Sequence, residues 1–225
     1  MSGGACEKCG MAINVDQCPV CGQHRPCCGH VGEQCIIAPR VQVGWDTRIW
    51  HWVQVREDAQ IGTRCVIGSR VEIGPGVVIG GGTHVGAGSQ LHHPARVGRG
   101  VFLGPNVFLG NDKYPGLEGA FSPQGVAVGD YAIIGAGAQI VGGVSIGEGA
   151  FVAMGALVTR DVGEGEMVKG SPARPYARRV MHYHGTAVQH WGPLCDEQEC
   201  LRCTSMGVEQ YVKQMRQRQE EQEGA

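Results

Sequence analysis

The chain counts in sixes. An aliphatic side chain stands at Ile37, Val43, Ile49, Val55, Ile61, Ile67, Ile73, Ile79, Val85, Leu91, Val97, Leu103 and Leu109, and again at Val128, Ile134, Ile140, Ile146, Val152 and Val158. Four residues beyond each comes a small or β-branched residue, as at Ala59, Cys65, Val71, Thr83, Ser89 and Ala95. Glycine commonly follows the aliphatic residue directly, as at Gly62, Gly68, Gly74 and Gly80. This period fits neither a helix, at about 3.6, nor a plain strand, at about 2. It fits short strands joined by corners, with the aliphatic and small positions inward and the glycines supplying the backbone angles of a tight corner. Such units cannot bury a face alone and must stack on their neighbours. The expectation is an all-β chain, a β-helical prism.

Composition narrows what such a prism can do. The 38 glycines are spaced rather than clustered, which excludes a flexible linker. A formal charge of -2 gives no electrostatic reason to seek nucleic acid or a membrane surface as partner. No apolar run approaches the roughly 18 residues of a membrane span, and the opening MSGGACEKCG has no signal-like apolar stretch, so the expected location is cytoplasmic.

The long tandem of aliphatic-Gly-x-x-small-x resembles the hexapeptide-repeat acyltransferases. The resemblance covers roughly residues 36–176 and implies a left-handed parallel β-helix with three hexads per coil. It further implies a homotrimer with active sites between adjacent prisms.

The count breaks once, inside GPNVFLGNDKYPG (residues 104–116): it stops at Asn111 and restarts near Val128. With three hexads per coil, residues eighteen apart stack one strand spacing (~4.8 Å) from each other. Asn111 is then expected over His93 and Asp112 over Pro94, while His92 takes a slot that glycine usually holds. A loop of about sixteen residues leaves the prism there; long excursions from a compact repeat are usually functional or disordered, and Tyr114, Pro115, Phe121 and Pro123 favour an ordered flap. Two imidazoles, an amide and a carboxylate would converge at its base. Histidine at an exposed corner is often merely solvated; its coincidence with the loop points to chemistry.

GPNVFLGNDKYP is similar to the segment where sugar acetyltransferases of this fold open their active-site loop. The loop lacks the histidine of galactoside-type O-acetyltransferases. It resembles that of the N-acetyltransferases acting on nucleotide-linked 3-amino sugars, as does DTRIWHWV (46–53). The resemblance implies that Asn111 hydrogen-bonds the acceptor amine. An amine is already nucleophilic when neutral, whereas a hydroxyl needs a positioned base; His92 or His93 could serve as one. Many relatives carry an arginine after the loop's proline, where this chain has Gly116.

The later coils, AIIGAGAQIVGGVSIGEGAFVAMGALVTRDVGEGEMVKGSPARP, look like the acetyl-CoA side of the same family. The resemblance places Ala136 and Met154 along the pantetheine arm, Thr159 and Arg160 where a Thr-Lys or Asn-Lys pair lies, and Lys169 and Arg174 near the nucleotide phosphates. Basic residues at the end of a repeat can also serve simply as a soluble cap.

Before the prism, CEKC and CPVC place Cys6, Cys9, Cys18 and Cys21 at knuckle spacing. Four thiolates make a closed tetrahedral site, so the expectation is structural zinc in a ribbon-like segment, residues 1–35. Residues 36–176 form the acyltransferase domain and 177–225 a Cys/His segment with a polar helix over 208–223. A second zinc could draw on Cys27, Cys28, His30, Cys35, His182, His184, His190, Cys195, Cys200 and Cys203.

The leading expectation is an acetyl-CoA-dependent N-acetyltransferase acting on a nucleotide-linked amino sugar for cell-surface polysaccharide synthesis. Alternatives are an O-acetyltransferase, or a scaffold whose zinc ribbon docks a partner. A γ-type carbonic anhydrase would need three histidines across a subunit interface. The prism offers His51, His84, His92 and His93 without that family's downstream histidine pair.

Overall fold

The computed structural model describes residues 31–113, 122–184 and 188–193. The zinc-ligand candidates Cys6, Cys9, Cys18 and Cys21, and the helix expected over 208–223, lie outside these residues.

The described residues from Val31 to Lys169 form a prism of three parallel sheets. The first face stacks β1 (Ile36–Ile37), β4 (Gln54–Val55), β7 (Glu72–Ile73), β10 (Gln90–Leu91), β13 (Phe108–Leu109), β16 (Gln139–Ile140) and β19 (Leu157–Val158). The second stacks β2 (Gln42–Val43), β5 (Gln60–Ile61), β8 (Val78–Ile79), β11 (Arg96–Val97), β14 (Ala127–Val128) and β17 (Ser145–Ile146). The third runs through β3 (Arg48–Ile49), β6 (Val66–Ile67), β9 (His84–Val85), β12 (Phe102–Leu103), β15 (Ile133–Ile134), β18 (Phe151–Val152) and β20 (Glu166–Lys169). Among the described residues there is no helix. β21 (Arg174–His184) begins in the first of the chain's two units; in the second its residues from Arg179 onward pair antiparallel with β22 (Val188–Pro193).

Strands β1 to β19 are each two residues long, so one side chain points out and the next points in. Gln54 is exposed and Val55 buried; Glu72 is exposed and Ile73 buried. The aliphatic column and the small column four residues on fill the interior together, among them Ile49, Val53, Ile73, Val77, Leu91 and Ala95. Three polar residues enter that column, and all three are paired. Thr47, Thr83 and Ser89 each donate to a carbonyl and accept an amide from the next coil, as Thr83 does with Gly98 O (2.8 Å) and Val101 N (3.2 Å).

Among the described residues the ladder begins with a bridge between Val31 and Ile49, one hexad before Ile37. Cys35 thereby packs against the core, its thiol 2.9 Å from Trp50 O.

The glycines that follow the aliphatic residues serve a different purpose from the one the repeat suggests. The corner residue with positive φ is two places later. It is a glycine at Gly76, Gly82 and Gly88 but a larger residue at Arg40, Trp52, Asp58, Arg64 and Arg70. Gly62 and Gly104 are glycine because the coil above is too close: a Cβ there would stand 2.5 Å from the backbone nitrogen of Gly81 and of Ala136 respectively.

Candidate active site

Three edges join the faces, and they are not equivalent. On the edge between the second and third faces the crowded slot is glycine at every level: Gly44, Gly62, Gly80, Gly98, Gly129 and Gly147. On the edge between the first and second faces the same slot reads Ala38, Arg56, Gly74, His92, Gly110, Val141 and Thr159. This second edge carries side chains, and the loop leaves from it. Reading every third hexad reveals the difference in the sequence; reading every hexad hides it.

Rungs below the loop join residues eighteen apart, such as Gln90 and Phe108. Across the loop Arg96 pairs with Ala127, a separation of 31, so thirteen residues are inserted, fewer than the about sixteen expected from the repeat. The expected stacking of Asn111 on His93 is present. The expected stacking of Asp112 on Pro94 is not: Gly125 lies there, its hypothetical Cβ 2.4 Å from Pro94 O. The chain leaves the prism immediately after Asn111, so Asp112 already belongs to the loop.

The loop's base is pinned by main-chain bonds. Gln124 N donates to Asn111 O (2.8 Å), and Gly143 N donates to Gln124 O (2.9 Å). The side chain of Asn111 donates through Nδ2 to His93 O, 2.8 Å away. A carbonyl only accepts, so the amide nitrogen must face it, and Oδ1 remains as the acceptor.

His93 and His92 have different surroundings. His93 is exposed, and its Nδ1 lies 2.7 Å from Pro75 O. That carbonyl requires a proton on Nδ1, leaving the Nε2 lone pair of the neutral ring available. Gly76 lies beside the ring, where an added Cβ would come 3.6 Å from Nδ1. His92 is half-buried and tilts against Phe108, ring centroids 5.0 Å apart. Of the two, His93 has the geometry of a base and His92 that of a packing residue.

Lower on the same edge, Arg40 grips Asp58 through Nε (2.6 Å) and Nη2 (2.7 Å). Those bonds, reinforced by the opposite charge, hold the Asp58 carboxyl below the usual carboxylate range.

The residues expected on the cofactor side divide between two edges. Ala136 and Met154 occupy successive levels of the edge between the third and first faces, where Gly155 N donates to Ala136 O (2.9 Å). Met154 is 75% exposed. Lys169 ends β20 at this edge, with Nζ 4.7 Å from the Tyr176 ring centroid. Arg174 follows Ala173, whose N–H donates to Leu157 O (2.7 Å). Thr159 and Arg160 stand elsewhere, on the loop edge, in the corner after β19. The first face therefore separates Ala136, Met154, Lys169 and Arg174 from His93, Asn111, Thr159 and Arg160.

Among the described residues no three histidines, cysteines or carboxylates come together as a metal site. His51 lies on the Met154 edge, His84 on the third face, and His92 and His93 on the loop edge. Cys65 is a buried core residue whose thiol is pushed up chiefly by burial.

The family described as bacterial transferase hexapeptide (six repeats) matches residues 53–87, 76–111 and 125–160. Residues 53–111 and 125–160 of the prism thus match the hexapeptide repeat of that family. No curated protein matches it at a significant level. Solved structures are similar to it at low identity. A perosamine N-acetyltransferase from Caulobacter crescentus, in complex with CoA and GDP-perosamine, is 22% identical over 66% of this chain and 58% of that one, with a TM-score of 0.43. WeeI from Acinetobacter baumannii is 24% identical over 66% and 57%, with a TM-score of 0.45. LpxA from Acinetobacter baumannii is 20% identical over 66% and 67%, with a TM-score of 0.49. The chain spans less than two thirds of the length of the first two.

Proposed function

We propose that this chain is an acetyl-CoA-dependent acetyltransferase that N-acetylates a nucleotide-linked amino sugar for cell-surface polysaccharide synthesis. The observation that carries the reading is the pair at the foot of the loop. His93 offers Nε2 because Pro75 holds Nδ1, and Asn111 offers Oδ1 because His93 O holds Nδ2. A neutral amine donating one N–H to Asn111 Oδ1 would be oriented with its lone pair free. That lone pair attacks the thioester carbonyl and forms the C–N bond. The nitrogen proton passes to His93 Nε2; collapse breaks the C–S bond, and the departing thiolate takes up a proton. Backbone amides at the site would stabilise the oxyanion.

The division between edges bears on assembly. The acceptor-binding candidates and most of the donor-binding candidates sit on opposite edges of the first face of one prism. A homotrimer would bring one copy's loop edge to the next copy's Met154 edge. The third face suits self-association, since five of its outward residues, Val66, Phe102, Ile133, Phe151 and Met167, are apolar, with His84 stacked on Phe102 at 5.3 Å and Arg48 at its far end.

A second reading keeps the fold and makes the acceptor a sugar hydroxyl, which the poised Nε2 of His93 also suits. Thiol release from acetyl-CoA, measured with matched amino and hydroxy sugar nucleotides, separates the two. Release with neither, by protein that binds acetyl-CoA, would overturn both. Zinc on Cys6, Cys9, Cys18 and Cys21 concerns residues outside those described. About one zinc per chain, lost in a Cys6→Ser, Cys9→Ser variant, is the result that reading expects.

A further inference from the structure

We propose that the lower end of the prism is a docking surface for the chain's own N-terminal segment, and that the tract MAINV, residues 11–15, closes the foot of the core there. The inference concerns a surface apart from the loop edge and does not depend on the acetyltransfer reading.

The two ends of the prism differ. At the upper end every core column is closed: Val158, Ile146 and Val168, the last inward residues of the three faces, are buried, and Val162 bridges back to Ile146. At the lower end, among the described residues, only the third column is closed, by Val31 beneath a fully buried Ile49. Beneath the first and second faces the columns end on Ile37 and Val43. Both are half-buried, whereas Val55 and Ile61, stacked directly above them, are buried. Cys35 and Ala38 on the same coil are half-buried too, and Ile36 is exposed. β1 and β2 are the terminal strands of their sheets, so an apolar floor and two strand edges lie open together. A stacked repeat needs a different unit at such an end to cover it.

Another coil of the same repeat does not fit. Continued downward, the register would set Pro19 beneath Ile37 and Arg25 beneath Val43, and the small slots under Cys35 and Val41 would fall to Gln17 and Gln23. The cover is therefore of another kind. The chain joins the prism at this end, through Val31, so residues 1–30 are tethered beside the gap. Their densest group of aliphatic residues is Met11, Ile13 and Val15, set between CEKC and CPVC. The three alternate, so an extended run would carry them on one face, with Ala12 and Asn14 on the other. The chain from Val15 to Val31 reaches about 50 Å when extended, and a face one hexad wide measures at most about 20 Å, so the tether spans the floor easily. A row of three aliphatic side chains matches a floor whose open positions are Ile37 and Val43.

The test uses the full chain with zinc present. A diazirine-bearing aliphatic residue replaces Val43, the protein is photolysed, and the cross-links are mapped by mass spectrometry in a mixture of isotopically light and heavy chains. They should fall on residues 11–15. Cross-links to residues 36–43 of another copy overturn the proposal in favour of end-to-end pairing. Cross-links anywhere else, or solvent adducts alone, overturn it as well. Thermal melting supplies a second measure that needs no probe in the core. Ile13→Asp sets a charge against the floor and should lower the melting temperature by about 4–10 °C. Gln42→Asp, on the exposed side of β2, should leave it unchanged. An Ile13→Asp variant that melts with wild type overturns the proposal, because a residue facing water would tolerate the charge.

Discussion

The side-chain amide of Asn111 donates to the main-chain carbonyl of His93, 2.8 Å away and one coil below. This bond fastens the last prism residue before the loop to the residue whose imidazole faces the same space, so the two candidate groups are positioned together. Replacing Asn111 with alanine should lower kcat/KM by about tenfold, one hydrogen bond's worth. Aspartate should do worse: with no N–H it turns an oxygen toward His93 O. Steady-state kinetics on both variants checks the order, and an aspartate variant as active as wild type would rule out the bond's role.

His93 and His92 should separate cleanly in kinetics. Losing a general base costs about 10² to 10⁴ in rate, so His93→Asn should fall in that range. His92→Ala removes a ring packed on Phe108 and should lower thermal stability more than turnover. The reverse pattern would move the base to His92.

The prism's stability should follow its alternation. Ile73→Ala removes a fully buried side chain and should cost about 2–5 kcal/mol, while its exposed neighbour Glu72→Ala should fall within about 0.5 kcal/mol of wild type. Thr83→Val strands the Gly98 carbonyl and the Val101 amide and should cost about 1–3 kcal/mol, despite adding apolar surface. Urea unfolding of the three variants gives the ranking.

Acid should act on the aspartates that bond within the corners. The Arg99 main-chain N–H, 2.8 Å from Oδ1, chiefly holds the Asp130 carboxyl below the usual range; burial opposes it, and the Arg99 side chain adds to the lowering. A carboxyl with a depressed folded-state pKa adds stability that is complete above its unfolded value, about 3.9, and is lost as pH falls through the folded value. Both Asp130 and Asp58 should therefore keep their charge to below about pH 4, and the corners should loosen only beneath that. Carboxyl carbon shifts followed from pH 6 to pH 2 test it. Titration of Asp130 at or above the usual value contradicts the assignment.

Two glycines should respond differently to alanine. A Cβ at Gly104 meets the Ala136 backbone at 2.5 Å, so the coils must part at the Met154 edge. At Gly155 nothing lies within 4 Å and only its φ of +66° opposes the change, at about 1–2 kcal/mol. Gly104→Ala should be the more damaging in melting experiments and should also weaken CoA binding.

The sequence by itself determined the prism, because a six-residue period of inward aliphatic and small residues has few other ways to bury itself. It also placed Asn111 above His93, since stacking is counting. It misread the glycines: their need comes from the backbone of the next coil, which no local propensity reveals. Counting also failed at Asp112, because an insertion stops the register at its first residue and the return point, Gly125, is set by where the chain re-enters. Which histidine is poised depended on a carbonyl eighteen residues away, at Pro75. The separation of Arg160 from Met154 onto different edges came only from the tertiary structure: residues one hexad apart fall on different edges, and only a whole coil brings the chain back to the same one. The period decides what is buried; the three-sided geometry decides which exposed groups can meet one substrate.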